Sequence, residues 1–322
     1  MSRIAVGQLT PAMNIEQIFL ISQPQLRATT RGDMYIAAFL GDKTGKLNGR
    51  MWQASETIFH SLPEDGFVWV RGRTETYQNN LQLVIEEIKP VDAAKVDLSE
   101  FMPSTQRDIT EMWNKVLGIL DTIKNPHLRL LVKSFLEDTD LMNKFRKAPA
   151  AIALHHAYVG GLLEHTLSLM ELGQRVLPQY PQLDSDLITI GLFLHDIGKT
   201  TELEYNINFK YSSEGRLIGH LVKGAMLVAD KVKTINENGG EFPVLLGQAL
   251  EHIIVSHHGI REYGCPVMPS MPEAFVVHFL DNLDSKVALT FDEIGKDDGT
   301  ADWTNFVRAT DSPLLKVRPA NM

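Results

Sequence analysis

Cysteine is all but missing: the 322 residues contain one, Cys265. An internal disulfide is excluded, as is any zinc site built on several thiolates, and the expected compartment is a reducing cytoplasm. Long apolar runs are missing too. No stretch approaches the roughly 20 consecutive apolar residues that cross a bilayer, so no membrane partner is expected. The opening segment MSRIAVGQLTPAMN lacks the basic, apolar and small-residue blocks of a secretory signal. There is no excess of positive charge either. Lys and Arg number 31 against 40 Asp and Glu, a net charge of −9, which excludes a broadly basic nucleic-acid surface. The deficit is uneven: residues 1–92 hold nine basic and ten acidic side chains, so −8 of the −9 falls beyond them. Contact with nucleic acid must then use a local groove rather than bulk attraction. Bound metal would offset part of the negative charge in the second region.

What is present divides in two. Residues 1–92 alternate like strands: Ile15–Gln23, Asp33–Leu40, Lys46–Gln53, Phe67–Tyr77 and Leu81–Ile88, separated by Gly/Asp/Asn/Pro turn signals. One helical segment, about Ala54–Ser61, follows the third run. Five strands with a helix after the third is the chain order of an all-β OB-fold barrel. Residues 93–105 lose the pattern and read as a linker. From 106 to 290 apolar spacings of three and four predict an all-α bundle, with helices over Ile109–Ile123, His127–Glu137, Gly161–Val176, Asp186–Ile197, Leu217–Val232, Val244–His257 and Glu273–Leu289. Residues 291–322 read as an irregular tail packed on the body.

The helical region carries five histidine or aspartate signals on otherwise apolar helices: His165, His195-Asp196, His220, His257-His258 and Asp281. His165 shares a stripe with Leu162, Leu169, Leu172 and Val176, inside the apolar face rather than beside it. His195 shares a face with Ile188, Gly191 and Leu192, and Gly198 is placed to end that helix with a left-handed cap. Asp281 and Asp284 are three apart and share a face. One buried histidine is ordinarily a core residue satisfied by a hydrogen bond. Five signals on successive helices point to a divalent metal, because buried imidazole and carboxylate otherwise go uncompensated. Ligands without thiolate favour manganese, iron, cobalt or nickel over structural zinc. Lys199, in HDIGK, has two readings: a contact to a phosphate oxygen, or a solvated lysine favoured by the helix dipole at a C-terminus. His155-His156 stand just before the Gly160-Gly161 step and are not read as ligands; His252 and His278 read as core or surface.

The order His … His-Asp … Asp resembles the HD-domain superfamily of metal-dependent phosphohydrolases. The added His220 and His257-His258 resemble its two-metal version. By that resemblance one ion takes His165, His195, Asp196 and Asp281, and a second takes His220, His257 and His258, with Asp196 bridging. Manganese is the first choice, with cobalt, iron, nickel or magnesium as the others. Asp196 and Lys199 are the expected catalytic residues.

On the barrel, aromatic and basic residues are candidates for single-stranded nucleic acid: Tyr35, Arg50, Trp69, Arg71 and Arg73 foremost, with Phe39, Trp52 and Tyr77 nearby. Trp69, Arg71 and Arg73 alternate on one face of the fourth strand. The alternative places Trp52, Trp69 and Phe39 in the barrel core. With HHAYVGGLLEHT, LHDIGK, LIGH, SHHG and HFLDNLDSK in this order, the chain resembles the YhaM family of bacterial 3′→5′ exoribonucleases. That resemblance implies metal-dependent removal of nucleoside 5′-monophosphates from the 3′ end of single-stranded RNA, with single-stranded DNA as a second substrate, and a homo-oligomer. Two other readings remain open: a phosphodiesterase for a cyclic or free nucleotide with the barrel as sensor, and a non-catalytic nucleic-acid-binding adaptor.

Overall fold

The computed structural model describes residues 3–30, 32–78, 80–97, 100–151, 158–204 and 210–317. The chain forms two compact units that divide between Ser104 and Thr105.

The first unit is a closed five-stranded barrel of β1 (Asn14–Ala28), β2 (Met34–Asp42), β3 (Gly45–Trp52), β4 (Asp65–Tyr77) and β5 (Asn80–Val91), in the order β1-β2-β3-β5-β4. All pairings are antiparallel except β3 with β5. Helix α1 (Glu56–Ser61) falls between β3 and β4, capped by the Ser55 hydroxyl, which accepts from the Ile58 amide. This is the OB arrangement. Ile15, Phe19, Ile21, Leu40, Val68, Val70, Leu83 and Ile85 fill the barrel, each contributing about 1.5–3 kcal/mol by leaving water. Strand alternation sends their neighbours outward.

The stretch expected as a linker packs instead. Phe101 is buried against Leu20 and Phe67 on the outside of the barrel, its ring edge-on to Phe67 at 5.0 Å. Apolar period is a poor guide here because a single aromatic residue does the covering.

The second unit is a helical bundle: α2 (Ile109–Leu120), α3 (Pro126–Leu136), α4 (Thr139–Lys147), α5 (Gly161–Val176), α6 (Ser185–Leu194), α7 (Lys199–Glu202), α8 (Ser213–Leu217), α9 (His220–Glu237), α10 (Val244–Ser256) and α11 (Pro272–Lys296). A two-stranded ribbon, β6 (Leu203–Glu204) and β7 (Lys210–Tyr211), interrupts it after α7. Asp108, Asn125, Asp138 and Asp184 each accept a first-turn amide and so fix where α2, α3, α4 and α6 begin. α6 is buried on nearly every side and packs against α5, α10 and α11. Its C-terminal end therefore delivers whatever follows Leu194 to the interior. α4 was not anticipated, its nine residues being too polar for a sustained apolar period. α11 runs six residues past 290, and bridges Trp303–Leu315 and Val307–Ser312 tie together the described residues 297–317 beyond it. Among the described residues no helix is long and apolar enough to cross a membrane.

Candidate active site

The residue pair His195-Asp196 leaves the end of α6 with both side chains buried, at 0% and 2% exposure. His165 on α5 and His257 after α10 are equally enclosed, at 2% and 1%. Gly198 does not form the expected left-handed cap: its φ is −62°, in the right-handed region. Its lack of a side chain serves close approach, because a Cβ there would lie 2.1 Å from the His220 carbonyl oxygen. The start of α9, and His220 with it, can thereby sit directly on the His-Asp turn.

Two nests of donor atoms result. In the first, His165 Nε2 lies 3.3 Å from His195 Nε2 and 3.2 Å from Asp281 Oδ1. Asp196 Oδ2 faces this nest, 3.4 Å from His195 Nε2 and 4.0 Å from His165 Nε2. In the second, His220 Nε2 is 3.3 Å from His258 Nε2. Asp196 Oδ1 faces that nest, 3.5 Å from His220 Nε2 and 3.6 Å from His257 Nε2. One carboxylate thus turns one oxygen to each nest. His165, His195 and Asp281 converge closely enough to hold one ion, and so do His220, His257 and His258.

All five imidazoles are pinned from behind. Nδ1 of His195 donates to the Leu192 carbonyl at 2.8 Å, that of His257 to Ile254 at 2.7 Å, and that of His258 to Tyr263 at 2.7 Å. Nδ1 of His165 meets Asp284 at 2.8 Å, and that of His220 meets Glu202 at 2.9 Å. Fixing Nδ1 as the donor leaves the Nε2 lone pair free to ligate, the arrangement metal-bound histidines use. Glu202 and Asp284, which hold two of these imidazoles, are not assigned to the site by the sequence. Asp284 had a visible signal, its spacing from Asp281. Glu202 had none, sitting on a four-residue helix without an apolar period.

The fit of this donor set to divalent cations can be judged from its unsatisfied atoms. Asp196 Oδ1 and His257 Nε2 are buried with no hydrogen-bond partner, and 3.6 Å between them is beyond hydrogen-bond reach. A buried orphan carboxylate oxygen beside an orphan imidazole nitrogen costs several kcal/mol unless a cation satisfies both. Protonation tells the same story. Burial drives His257 down to about 3, so it is a neutral ligand. Burial would also lower His165, but Asp281 and Asp284 outweigh it and lift His165 to about 9: the first nest draws positive charge, which a cation would supply in place of the Nε2 proton. Burial pushes the Asp196 carboxyl up, yet Lys199 and His195 hold it well below the ordinary aspartate range. Nitrogen and oxygen donors in this number suit divalent metal binding.

Lys199 does not take the solvated setting, and it lines the cavity beside the nests. It is enclosed rather than solvated, and its Nζ lies 2.7 Å from Asp196 Oδ2. A cavity of about 640 Å³ opens from the nests and is lined by Lys199, His278, Asn282 and Lys286 among others. His278 donates through Nδ1 to the His257 carbonyl at 2.7 Å. It packs beneath Gly259, whose φ of +79° no bulkier residue would adopt there without strain. His155 and His156 lie outside the described residues.

On the barrel, Tyr35 and Trp52 are paired across β2 and β3 with ring centroids 5.0 Å apart. The Arg50 guanidinium lies 5.8 Å from the Trp52 ring and 5.0 Å from Tyr77. Arg73, exposed, is joined to Arg50 across Val84 of β5 by strand register. Trp69 and Arg71 stand apart from this group: Lys89 covers the Trp69 ring at 5.3 Å, and Arg71 pairs with Glu87 at 3.1 Å and Glu86 at 3.8 Å. The core reading of the aromatics fails. Phe39 and Trp52 are 39% and 43% exposed, and Trp69 is half-buried on the outer wall.

A family model described as HD domain matches residues 162–286. The 3′-5′ exoribonuclease YhaM of Shouchella clausii (strain KSM-K16) is 31% identical over 274 residues, which cover 85% of this chain and 84% of that protein. The 3′-5′ exoribonuclease YhaM of Bacillus subtilis (strain 168) is 29% identical over 274 residues, with 85% of each chain covered.

Proposed function

Since the chain belongs to the YhaM family of 3′-5′ exoribonucleases, we propose that it removes nucleoside 5′-monophosphates from the 3′ end of single-stranded RNA, using two divalent ions, and that it also accepts single-stranded DNA. Family membership makes it a metal-dependent phosphodiester hydrolase and removes the adaptor reading. The observation that carries the two-ion reading is Asp196, with one oxygen turned to each histidine nest and Oδ1 left without a protein partner.

In this reading His165, His195, Asp196 and Asp281 hold one ion, and His220, His257, His258 and Asp196 hold the other. When bound, such ions, manganese first among them, supply Lewis acidity toward the phosphodiester and lower the pKa of water. The chain's own groups do the rest. The carbonyls of Leu192, Ile254 and Tyr263, with Asp284 and Glu202, orient the five imidazoles. Lys199 steadies the Asp196 carboxylate and keeps it ionised at 2.7 Å. Tyr35, Arg50, Trp52 and Tyr77 form a stacking platform, open to solvent at Trp52 and Tyr77, that holds a strand with little sequence preference. Water adds its oxygen to the terminal phosphorus, the bond to the penultimate 3′ oxygen breaks and that oxygen takes a proton, which yields the 5′-monophosphate and a shortened 3′-hydroxyl end.

Incubation of the purified protein and Mn²⁺ with a 5′-labelled oligoribonucleotide tests this. A ladder shortening from the 3′ end is expected. An intact oligomer beside a hydrolysed cyclic or free nucleotide would replace this reading with the small-nucleotide phosphodiesterase.

A further inference from the structure

Two lysines line the cavity, and their surroundings differ. Lys199 is enclosed and paired with Asp196. Lys286 is exposed on α11, lines the same cavity, and makes no ion pair with the described residues. It lies five residues beyond Asp281, about 7.5 Å further along the helix axis. A strand whose scissile phosphate sits at the His/Asp nests carries its next phosphodiester one nucleotide step away. Among the described residues that line the cavity, Lys286 is the unpaired cation at that scale of displacement.

Two tyrosines complete the outer wall. Tyr211 on β7 and Tyr263 after α10 both line the cavity, with exposures of 47% and 55%. Tyr263 is held in register with the metal nests, because its carbonyl is the acceptor that pins His258. Large rings left open at the mouth of a polar cavity are suited to stacking on bases, an interaction every base can make.

We infer that the outer half of this cavity is a single-strand subsite: Lys286 takes the phosphate next to the scissile one, and Tyr211 and Tyr263 stack on bases near the 3′ end. This rests on the exonuclease reading above. The subsite makes turnover depend on a second phosphodiester, which a dinucleotide lacks.

The test compares the full-length protein with Lys286→Ala, Lys286→Arg, Tyr263→Leu and Tyr263→Phe, all loaded with Mn²⁺, on a dinucleotide and a 5′-labelled hexanucleotide. For the hexanucleotide, Lys286→Ala is expected to raise KM about tenfold with little change in kcat. It should also reduce the slope of log KM against log salt by about 0.7, the value for one phosphate contact on a single strand. Lys286→Arg should restore both. Tyr263→Leu should raise KM roughly tenfold, and Tyr263→Phe should restore it. The Lys286→Ala penalty should be confined to the hexanucleotide. Equal penalties on both substrates, or an unchanged KM and salt slope, overturn the subsite. Hydrolysis of bis(p-nitrophenyl) phosphate by the wild type with an intact hexanucleotide would instead overturn the exonuclease reading. In that event hexanucleotide binding by fluorescence anisotropy decides the subsite: a tenfold loss in Lys286→Ala supports it, and unchanged affinity refutes it.

Discussion

In the helical unit five imidazoles are fixed at Nδ1 before any ligand arrives, and three of them, His165, His195 and His257, are buried. On the barrel, Trp52 and Tyr77 are exposed, Tyr35 and Arg50 half-buried, and the four are ordered mainly by one another. The first arrangement leaves donor atoms unsatisfied and so favours one kind of occupant in one geometry. The second is already solvated, makes no such demand, and suits a ligand whose sequence varies. In the proposed function, chemistry belongs with the former and grip with the latter.

The largest expected effect breaks the buried side alone. Asp196→Ala removes the carboxylate facing both nests and should lower turnover by well over about 100-fold. Oligonucleotide binding through the barrel, read by fluorescence anisotropy, should persist. Loss of binding together with activity would mean the two regions are not separable in this way.

Next come the carboxylates behind the histidines. Glu202→Gln and Asp284→Asn should each cost about 10–100-fold in metal affinity or activity. They should act on different ions, Glu202 through His220 and Asp284 through His165. Calorimetric titration with Mn²⁺ checks this, and identical effects of the two variants on both binding events would contradict the two-nest division.

The barrel offers a smaller and graded contrast. Trp52→Ala should weaken single-strand binding by about 1–3 kcal/mol, the worth of one stacked base. Arg71→Ala should change it by less than about 1 kcal/mol, because Glu86 and Glu87 already balance that charge at the surface. Reversed rankings in a binding titration would move the strand to the Trp69 side of the barrel.

The smallest effect lies outside both sites. The Lys231 ammonium, 2.8 Å away, holds the Asp138 carboxyl below its ordinary value, as does the Leu141 amide it caps, against the opposing pull of burial. A carboxylate depressed in the folded state adds stability above its unfolded pKa, about 3.9, and loses it as pH falls through the lowered folded value. Asp138→Asn, which keeps the cap but not the charge, should therefore narrow the gap between Tm at pH 6 and Tm at pH 3. An unchanged gap would show that the ion pair contributes nothing.

Much of this was legible in the sequence, for reasons that differ by residue. The barrel strands and the bundle follow from periods of two and of three to four, which burial enforces along whole elements. His165, His195, Asp196, His220, His257, His258 and Asp281 stood out because polar ligands interrupt apolar helices. Glu202 did not, since a one-turn helix has no period to interrupt. Gly198 was misread: a glycine after a helix suggests a left-handed cap, and only the tertiary approach of α9 reveals its use. Phe101 was overlooked because covering a barrel wall takes one ring and leaves no pattern. Trp69 and Arg71 share a strand face with Arg73, as alternation predicts, but cross-strand neighbours such as Lys89, Glu86 and Glu87 set their availability, and strand period alone does not show them.

The proposed role of Asp196 as the carboxylate shared by two ions can be read most directly from anomalous diffraction at the manganese edge from Mn²⁺-soaked crystals. Two peaks are predicted in each chain, one among His165, His195 and Asp281, the other among His220, His257 and His258, with Asp196 between them. A single peak, or peaks that leave Asp196 uncoordinated, would contradict it.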